Sequence, residues 1–495
     1  MHCERLLKLV FSSFGGVLGG LALGGDGFWW LMPLSIAFLW SAVKTPFNNF
    51  FWGFFIVLIS HRWLLDLHPM DWVGIPKTIS LTLAIFILFF CSLFAGGLTF
   101  LWSFCVKNLS NSFRQTKYNE INISCVIFSS CFWGLCEVYL SQLPLFWIGI
   151  GESLVPRDIY IVGLARWFGS GGIAALQLIF GWWLWRVLIA YRNRNKWIKV
   201  FSIGCSFLII LNAIGWGLLV KDYQNTSYSS VAILQPNIPI REKFRPYTIH
   251  KLSELIDASL FKAKELGADI LIAPEGALPL EPRLEFQSPL LFFSGGFRSV
   301  EGSQRSSLLV FQPGSRDYSL AIDKHRLVPL GEWIPSWLSK YSKGLSAVGG
   351  VVPGTHSRLL SAPNYNPVAV AICYELANGK AISKAVLGGA KSILTIANLD
   401  PYPELLQRQF ISIAKLRSIE NAREVVAASN TGPSALVDKS GGISFSAKSF
   451  EEQLSIVQVK HYEAKTIYTK FGEIPLFVIM TLCIVNYIKL RNKLH

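Results

Sequence analysis

Ile270-Leu271-Ile272-Ala273-Pro274-Glu275-Gly276, Ser319-Leu320-Ala321-Ile322-Asp323-Lys324 and Val368-Ala369-Val370-Ala371-Ile372-Cys373-Tyr374-Glu375 share one pattern: a short, mostly apolar run that ends on a polar or reactive side chain. Short apolar runs bounded by turn residues read as strands. In open α/β sheets ligands bind outside the carboxyl ends of the strands, so Glu275, Lys324 and Cys373 become candidates for one site. A thiol, a carboxylate and an ammonium brought together supply what acyl transfer through a thioester requires. The thiol attacks once it loses its proton, and a carboxylate takes that proton and later returns it. An ammonium and a backbone N–H then steady the oxyanion. Cys373, Glu275, and Lys324 with the amide of Tyr374 fit those parts.

Each residue alone has a plainer reading. Pro274-Glu275-Gly276 is a turn, Asp323-Lys324 a solvated loop pair, and Cys373 a small buried hydrophobe. A dyad of Cys373 with His325 is a rival, although the sequence around the thiol is not of the papain type. The order and spacing of all three favour the shared site.

Working outward, the segment from Lys221 to Gly472 continues in the same alternating style. Further strands are predicted at Val231 to Leu234, Leu308 to Phe311, Ile393 to Ile396 and Val425 to Ala428, with helices at His250 to Leu266, Ala381 to Leu387 and Glu404 to Ala422. In the last of these, Leu406, Phe410, Ile413 and Leu416 fall at helical spacing. Such alternation predicts an α/β domain large enough to bury its own core. Arg298 to Ser307 and Ser339 to Gly354 read as long loops containing Gly and Ser.

The first 220 residues have a different character. Apolar runs cover roughly Leu6 to Leu23, Phe28 to Val43, Phe47 to Leu65, Ile79 to Leu101, Ile123 to Leu143, Ile161 to Trp185 and Ile198 to Val220, and an eighth covers Ile474 to Ile488. A helix needs about 20 apolar residues to cross a bilayer, so the expectation is seven spans, the α/β domain, and one more span. Composition agrees: 52% of the 495 residues are hydrophobic, 14% aromatic and 16% charged, with mean hydropathy +0.41. Ordinary soluble domains carry about 25% charge, which excludes a disordered chain or a wholly soluble enzyme.

Net charge is +15, and the basic residues mark membrane flanks. Arg5 and Lys8, Lys44, Lys107 with Arg114 and Lys117, the group from Arg186 to Lys199, and Lys489 to Lys493 fall on alternate sides of the runs, as cytoplasmic loops do. Both termini are then cytoplasmic and residues 221–472 lie outside, so no nucleic-acid partner is expected.

Of nine cysteines, Cys373 alone lies in the exported segment, which rules out a disulfide within it. His250, His325, His356 and His461 are scattered, and no zinc signature or phosphate-binding glycine loop occurs, so neither metal nor cofactor is expected.

Glu275 after a strand, Lys324 opening Lys-His-Arg-Leu-Val-Pro-Leu-Gly-Glu, and Cys373 in Ile-Cys-Tyr-Glu together resemble the Glu-Lys-Cys triad of the nitrilase (carbon-nitrogen hydrolase) superfamily. With such a domain inserted before the last of eight spans, and Gln235-Pro236-Asn237-Ile238-Pro239 at its start, the chain resembles the apolipoprotein N-acyltransferase family. The similarity runs on through Asn430-Thr431-Gly432, Val437-Asp438 and Tyr468-Thr469-Lys470-Phe471-Gly472.

The resemblance implies an eight-helix α-helical transmembrane domain plus an exported α/β nitrilase-like domain, an α-β-β-α sandwich. It divides the chain into a membrane part (1–220), a periplasmic catalytic domain (221–472) and a last helix with its tail (473–495). The implied reaction is ping-pong at the bacterial inner membrane. Cys373 takes the sn-1 acyl chain of a phospholipid such as phosphatidylethanolamine, then passes it to the α-amine of a diacylglyceryl-cysteine apolipoprotein. Glu275 is the implied base, Lys324 the oxyanion holder and Glu332 a carboxylate that positions Lys324 or the intermediate. Tyr374 and Glu375 are expected to shape the pocket, with a structural ion pair as the plainer reading of Glu375. Phe292, Phe293, Phe297, Trp333 and Trp337 are expected in loops that dip into membrane lipids as a portal.

Three positions depart from the family pattern. Phe244 stands where Trp is frequent, Gly276 where Thr or Ser is, and Ala397-Asn398-Leu399-Asp400 replaces a Ser-Asn-Asp-Ala-Trp motif. A membrane-tethered hydrolase shares the same triad, and a non-catalytic membrane scaffold or transporter is the reading from a different class.

Overall fold

β1 (Asn225–Gln235), β2 (Ile270–Ala273), β3 (Leu291–Val300), β4 (Ser303–Phe311), β5 (Tyr318–Asp323) and β12 (Gln453–Tyr462) form one sheet, in the order β12-β1-β2-β3-β4-β5. A second sheet takes β6 (Leu359–Leu360), β7 (Val368–Ile372), β8 (Ser392–Ala397), β9 (Val425–Ser429), β10 (Ala435–Val437) and β11 (Ile443–Ser446), in the order β11-β10-β9-β8-β7-β6. This computed structural model describes residues 2–71, 75–112, 122–157, 160–221, 223–243, 245–329, 332–333, 351–400 and 402–492.

Strand periodicity explains how the sheets stack. In β2, Ile270 and Ile272 turn inward against Val370, Ile372, Leu394 and Ile396 of the other sheet, whereas Leu271 and Ala273 turn outward. The outward pair meets Leu252, Ile256 and Leu260 of α8 (Pro246–Glu265), a helix that starts on a proline at its first turn. On the far side, Ala369, Ala371, Ile393, Val425 and Ala427 pack against α9 (Gly379–Leu387) and α10 (Glu404–Asn421). The result is an α-β-β-α sandwich with parallel β1-β2-β3 in one sheet and parallel β7-β8-β9 in the other. β1 borders β12 in antiparallel pairing from Asn225↔Tyr462 to Gln235↔Gln453, so the ends of the domain close on each other.

The membrane part comprises α1 (His2–Ala22), α2 (Leu31–Ser41), α3 (Pro46–Ser60), α4 (Lys77–Ser112), α5 (Ile123–Leu140), α6 (Ala165–Arg192) and α7 (Trp197–Val220). After the sandwich come a short α11 (Ile467–Phe471) and α12 (Ile474–Asn492). Among the described residues, four helices are long and apolar enough to cross a membrane: Lys77–Ser110, Ile123–Leu140, Tyr160–Arg192 and Trp197–Val220. Four further apolar helices, Leu6–Ala22, Leu31–Ser41, Pro46–Ser60 and Ile474–Lys489, are shorter than these four. The run from Phe28 yields only 11 helical residues, because the left-handed Gly25 and Gly27 precede it and Thr45-Pro46 follows it. Glycines let these helices touch: a Cβ on Gly16 would run into the Trp52 carbonyl oxygen, and one on Gly134 into that of Gly171.

Sandwich and membrane helices share one apolar core, which runs from Ala371 and Phe410 to Trp40, Trp52 and Trp147. As a result α10 is buried all round, with every residue from Gln409 to Asn421 inside. One of its buried polar side chains, Gln409, is met wholly by the membrane part. Gln409 donates to the carbonyls of Leu23 and Ser60 at 2.9 and 3.0 Å, and its Oε1 accepts from Trp147 Nε1 at 2.9 Å.

One predicted loop is corrected. Arg298 to Ser307 is the tip of the β3-β4 hairpin, turned by Glu301 and Gly302 at φ 52° and 76°, the left-handed pair of a two-residue turn. Ser294-Gly295-Gly296 breaks the apolar alternation of β3 and hides it from a pattern search. Those glycines have a use: a Cβ on Gly295 would lie 2.5 Å from Glu275 Cα and 2.5 Å from the Pro274 carbonyl oxygen. Gly295→Ala is therefore expected to cost about 1–3 kcal/mol of stability by overpacking. Gly217→Ala, with nothing within 4 Å of its Cβ, should leave the melting temperature in detergent within a degree or two of the parent (about 0.5 kcal/mol or less). Equal melting temperatures for the two variants would refute this.

Candidate active site

β2 and β5 lie in one sheet with β3 and β4 between them and β7 lies in the other, and the turns that follow them are joined by hydrogen bonds from Lys324 to Glu275 and from the backbone of His325 and Arg326 to Glu375. Lys324 follows β5 and is 1% exposed. Its Nζ donates to Glu275 Oε1 at 2.8 Å and to Glu332 Oε1 at 2.7 Å. The other oxygen of Glu275 accepts from the backbone N–H of Asn398 at 3.1 Å, and that of Glu332 from Val328 N–H at 2.9 Å. Burial alone would lower the Lys324 ammonium, but Glu275 and Glu332 beside it hold it well above the ordinary lysine range. Burial raises the Glu332 carboxyl, with Lys324 opposing.

The lysine is placed by the residue before it. Asp323 accepts from Arg298 at 2.7 and 2.8 Å, from Arg305 at 3.0 Å and from Ser307 at 2.8 Å, all on β3 and β4, which locks the end of β5 in register. Burial works against the Asp323 carboxylate, yet these donors hold it below the usual range.

Cys373 leaves β7 in the left-handed region, φ 51°, and opens a 3-10 turn from Cys373 to Ala377. Such a conformation in a non-glycine residue costs about 1–3 kcal/mol and persists only when its surroundings impose it. Glu375 does the imposing. Its carboxylate accepts from Ile372 N–H at 2.9 Å, His325 N–H at 2.6 Å and Arg326 N–H at 3.1 Å, and pairs with Arg358 at 2.8 Å. One buried ion pair thereby ties the turn after Lys324 to the turn of Cys373. Glu375 thus takes the plainer of its two expected parts.

Burial pushes the Cys373 thiol up, and the neighbouring Glu275 carboxylate, which accepts its hydrogen bond, pushes the same way, while Lys324 opposes. Both effects favour the thiol over the thiolate.

Tyr374 turns toward the membrane part. Its hydroxyl donates to the Phe146 carbonyl at 2.7 Å and its ring stacks on Trp147 at 5.9 Å. Trp147 meets Trp63, which meets Tyr402, so a row of aromatic rings runs from Tyr374 to Tyr402. Behind the row lies an apolar cavity of about 370 Å³ among α3, α4 and α5, lined by Trp52, Ile56, Phe94, Trp102, Trp133 and the stretch from Leu143 to Ile148.

Most of the expected portal lies elsewhere. Phe292 and Phe293 sit in β3, not in loops, and are 0% exposed, the first stacked on Phe311 and the second edge-on to Tyr365. Phe297 is half-buried in the same strand. Trp333 is exposed beside Glu332, and Trp337, like Phe244, lies outside the described residues. Sequence reading also passed over Lys243, whose Nζ donates to the Glu275 carbonyl at 3.1 Å, and which burial lowers to about 8 against the pull of Glu275 and Asp400. Gly276, at φ 63°, leaves room for it, since a Cβ there would lie 2.6 Å from that Nζ. Among the described residues no cluster of three potential metal ligands occurs.

Comparison with known proteins gives close relatives. The chain is 45% identical over 490 residues to an apolipoprotein N-acyltransferase of Prochlorococcus marinus strain SARG, covering 98% of both chains. To that of Parasynechococcus marenigrum strain WH8102 it is 40% identical over 468 residues, covering 94% of this chain and 97% of the relative. No family model matches the chain. A solved amidase of the nitrilase superfamily from Nesterenkonia aligns with 52% of this chain and 98% of its own at 16% identity and TM-score 0.38, too slight a likeness to bear on the fold.

Two outcomes are expected. Glu375→Ala strands a buried Arg358 and should cost about 3–5 kcal/mol, read as a fall in thermal midpoint in detergent, while Glu375→Met with Arg358→Met should lose less. Glu275→Gln removes a negative charge and an acceptor that raise the thiol, so the pH profile of Cys373 alkylation should move to lower pH. A profile that stays in place or moves up would refute that account of the thiol.

Proposed function

The chain belongs to the apolipoprotein N-acyltransferase family and is an acyltransferase, and from that premise we propose how its residues carry the reaction. Cys373 attacks the sn-1 ester carbonyl of a membrane phospholipid, phosphatidylethanolamine being the donor tested first. Glu275 takes the thiol proton as the C–S bond forms. Of the three N–H bonds of Lys324, two are held by carboxylates, and the third, with the N–H of Tyr374, faces the developing oxyanion. Collapse breaks the ester C–O bond, and the leaving alkoxide receives the proton from Glu275, giving a lysophospholipid and a thioester.

In the second half the α-amine of a diacylglyceryl-cysteine apolipoprotein attacks the thioester. Glu275 takes a proton from that nitrogen and gives it back to the departing thiolate. The observation that carries this reading is the Glu275–Lys324–Glu332 ion triplet set against a hydrogen-bonded Cys373 thiol.

Placement supports a lipid donor. A two-chain lipid cannot leave the bilayer cheaply, at about 0.8 kcal/mol per exposed CH₂, so the site has to border the membrane. The apolar cavity behind Tyr374 and Trp147 offers a place for one acyl chain. We place eight spans in the inner membrane, seven within residues 1–220 and one within 473–495. Both termini are then cytoplasmic and residues 221–472 periplasmic, following the alternation of basic flanks.

The test is intact mass after incubation with phosphatidylethanolamine, alongside Cys373→Ala, then addition of a diacylglyceryl-cysteine peptide. One acyl chain on the parent protein alone, discharged to the peptide amine, is the expected result. Discharge only to water would make the protein a membrane-tethered hydrolase, and no adduct would return Cys373 to an inert buried thiol.

A further inference from the structure

Arg326, two residues beyond Lys324, is buried, and its charge is spent in an unusual direction. Its Nη2 donates to the carbonyls of Leu143 and Phe146 at 2.6 and 2.8 Å, both in the loop that leaves α5. The guanidinium lies 3.8 Å from the ring centroid of Tyr374, whose hydroxyl donates to the same Phe146 carbonyl. The backbone N–H of Arg326 in turn donates to Glu375. One side chain therefore touches the turn after the lysine, the residue after the nucleophile, and the rim of the apolar cavity, to which Leu143, Phe146 and Trp147 belong.

Stability alone gives a poor reason for this arrangement. A buried guanidinium is costly unless matched by negative charge, and here the nearby Glu375 carboxylate pairs with Arg358 while Arg326 receives neutral carbonyls. What the arrangement does provide is register. Two carbonyls held by one planar fork, with an aromatic ring stacked beneath it, fix the cavity rim relative to Sγ of Cys373 in a way a flexible ammonium cannot.

We propose that Arg326 is a positioning residue that sets the distance between the acyl-chain cavity and the thiol, and thereby the length of acyl chain the enzyme accepts. The proposal rests on the phospholipid-donor reading given above. A long chain reaches the thiol productively only if its cavity is in register, whereas a short soluble ester needs no cavity. Misplacement of about 1 Å is enough to lose about 100-fold in rate for the donor that depends on it.

The experiment compares single-turnover thioester formation, by intact mass, from p-nitrophenyl butyrate and from phosphatidylethanolamines of graded chain length. Parent protein, Arg326→Ala, Arg326→Lys and Trp147→Leu are compared, the last disturbing, from the membrane side, the Tyr374 ring against which Arg326 lies, in case Arg326→Ala fails to fold. The expected result is a loss with the long-chain donor at least about tenfold greater than with the butyrate, and a flattened chain-length preference in all three variants. Equal losses with both donors, or an unchanged chain-length preference, would overturn the proposal. A parent protein that takes butyrate but never phospholipid would instead overturn the donor reading beneath it.

Discussion

An ammonium almost wholly withdrawn from water must be met by negative charge, and Lys324 is met by two carboxylates at once. Much of the structure follows from that requirement. Glu275 and Glu332 would repel each other without the lysine between them, and the lysine would be untenable without both. Neither carboxylate lies on the same element as Cys373, so three chain segments must arrive together for any of them to be stable. Parallel strands deliver β2 and β7 with their carboxyl ends at one edge. Antiparallel β5 is brought there by Asp323, whose four hydrogen-bond donors sit on the adjoining hairpin.

The second constraint is the union of sandwich and membrane helices. In a free-standing α-β-β-α domain the outer helices turn a polar face to water. Here α10 is buried from Gln409 to Asn421, and the amide of Gln409, which water would otherwise have satisfied, is met by two carbonyls and an indole of the membrane part. Tyr374 and Arg326 make the same kind of bond from the other side of the site. The turns that follow β5 and β7 are thus tied to the apolar helices through Arg326 and Tyr374.

Much of this was legible in the residues. β2 and β7 coincide with their predicted runs because both faces of each strand are buried and the sequence is accordingly apolar without interruption. α10 was legible from Leu406, Phe410, Ile413 and Leu416, but its buried polar face was not, because Gln409 and Arg417 look like solvent residues until the partner helices are seen. β3 was hidden by its glycines, which answer to the closeness of Glu275 and not to strand propensity. Phe292 and Phe293 were misassigned for the same reason: once β3 is unseen, its aromatics look like a loop. Within the site, the meeting of Glu275, Lys324 and Cys373 could be read from order and spacing, and Glu332 only through the family resemblance. The aromatic row of Trp63, Trp147, Tyr374 and Tyr402 could not, since its members lie far apart in the chain and carry no local signature.

The pairing of β1 with β12 has a consequence for how the chain comes to be folded. β1 leaves the ribosome first among the strands, yet one of its two neighbours is the last strand to be made, beginning at Gln453. At about 5–20 residues per second, β1 waits on the order of ten to forty seconds with one row of amides and carbonyls unmatched. An unpaired edge of that kind is an invitation to wrong partners, including a neighbouring nascent chain. The sheet therefore has a late closing step, and a helper that shields the waiting edge, or an insertion between β1 and β12 that lengthens the wait, would act on yield without touching the chemistry of the finished enzyme.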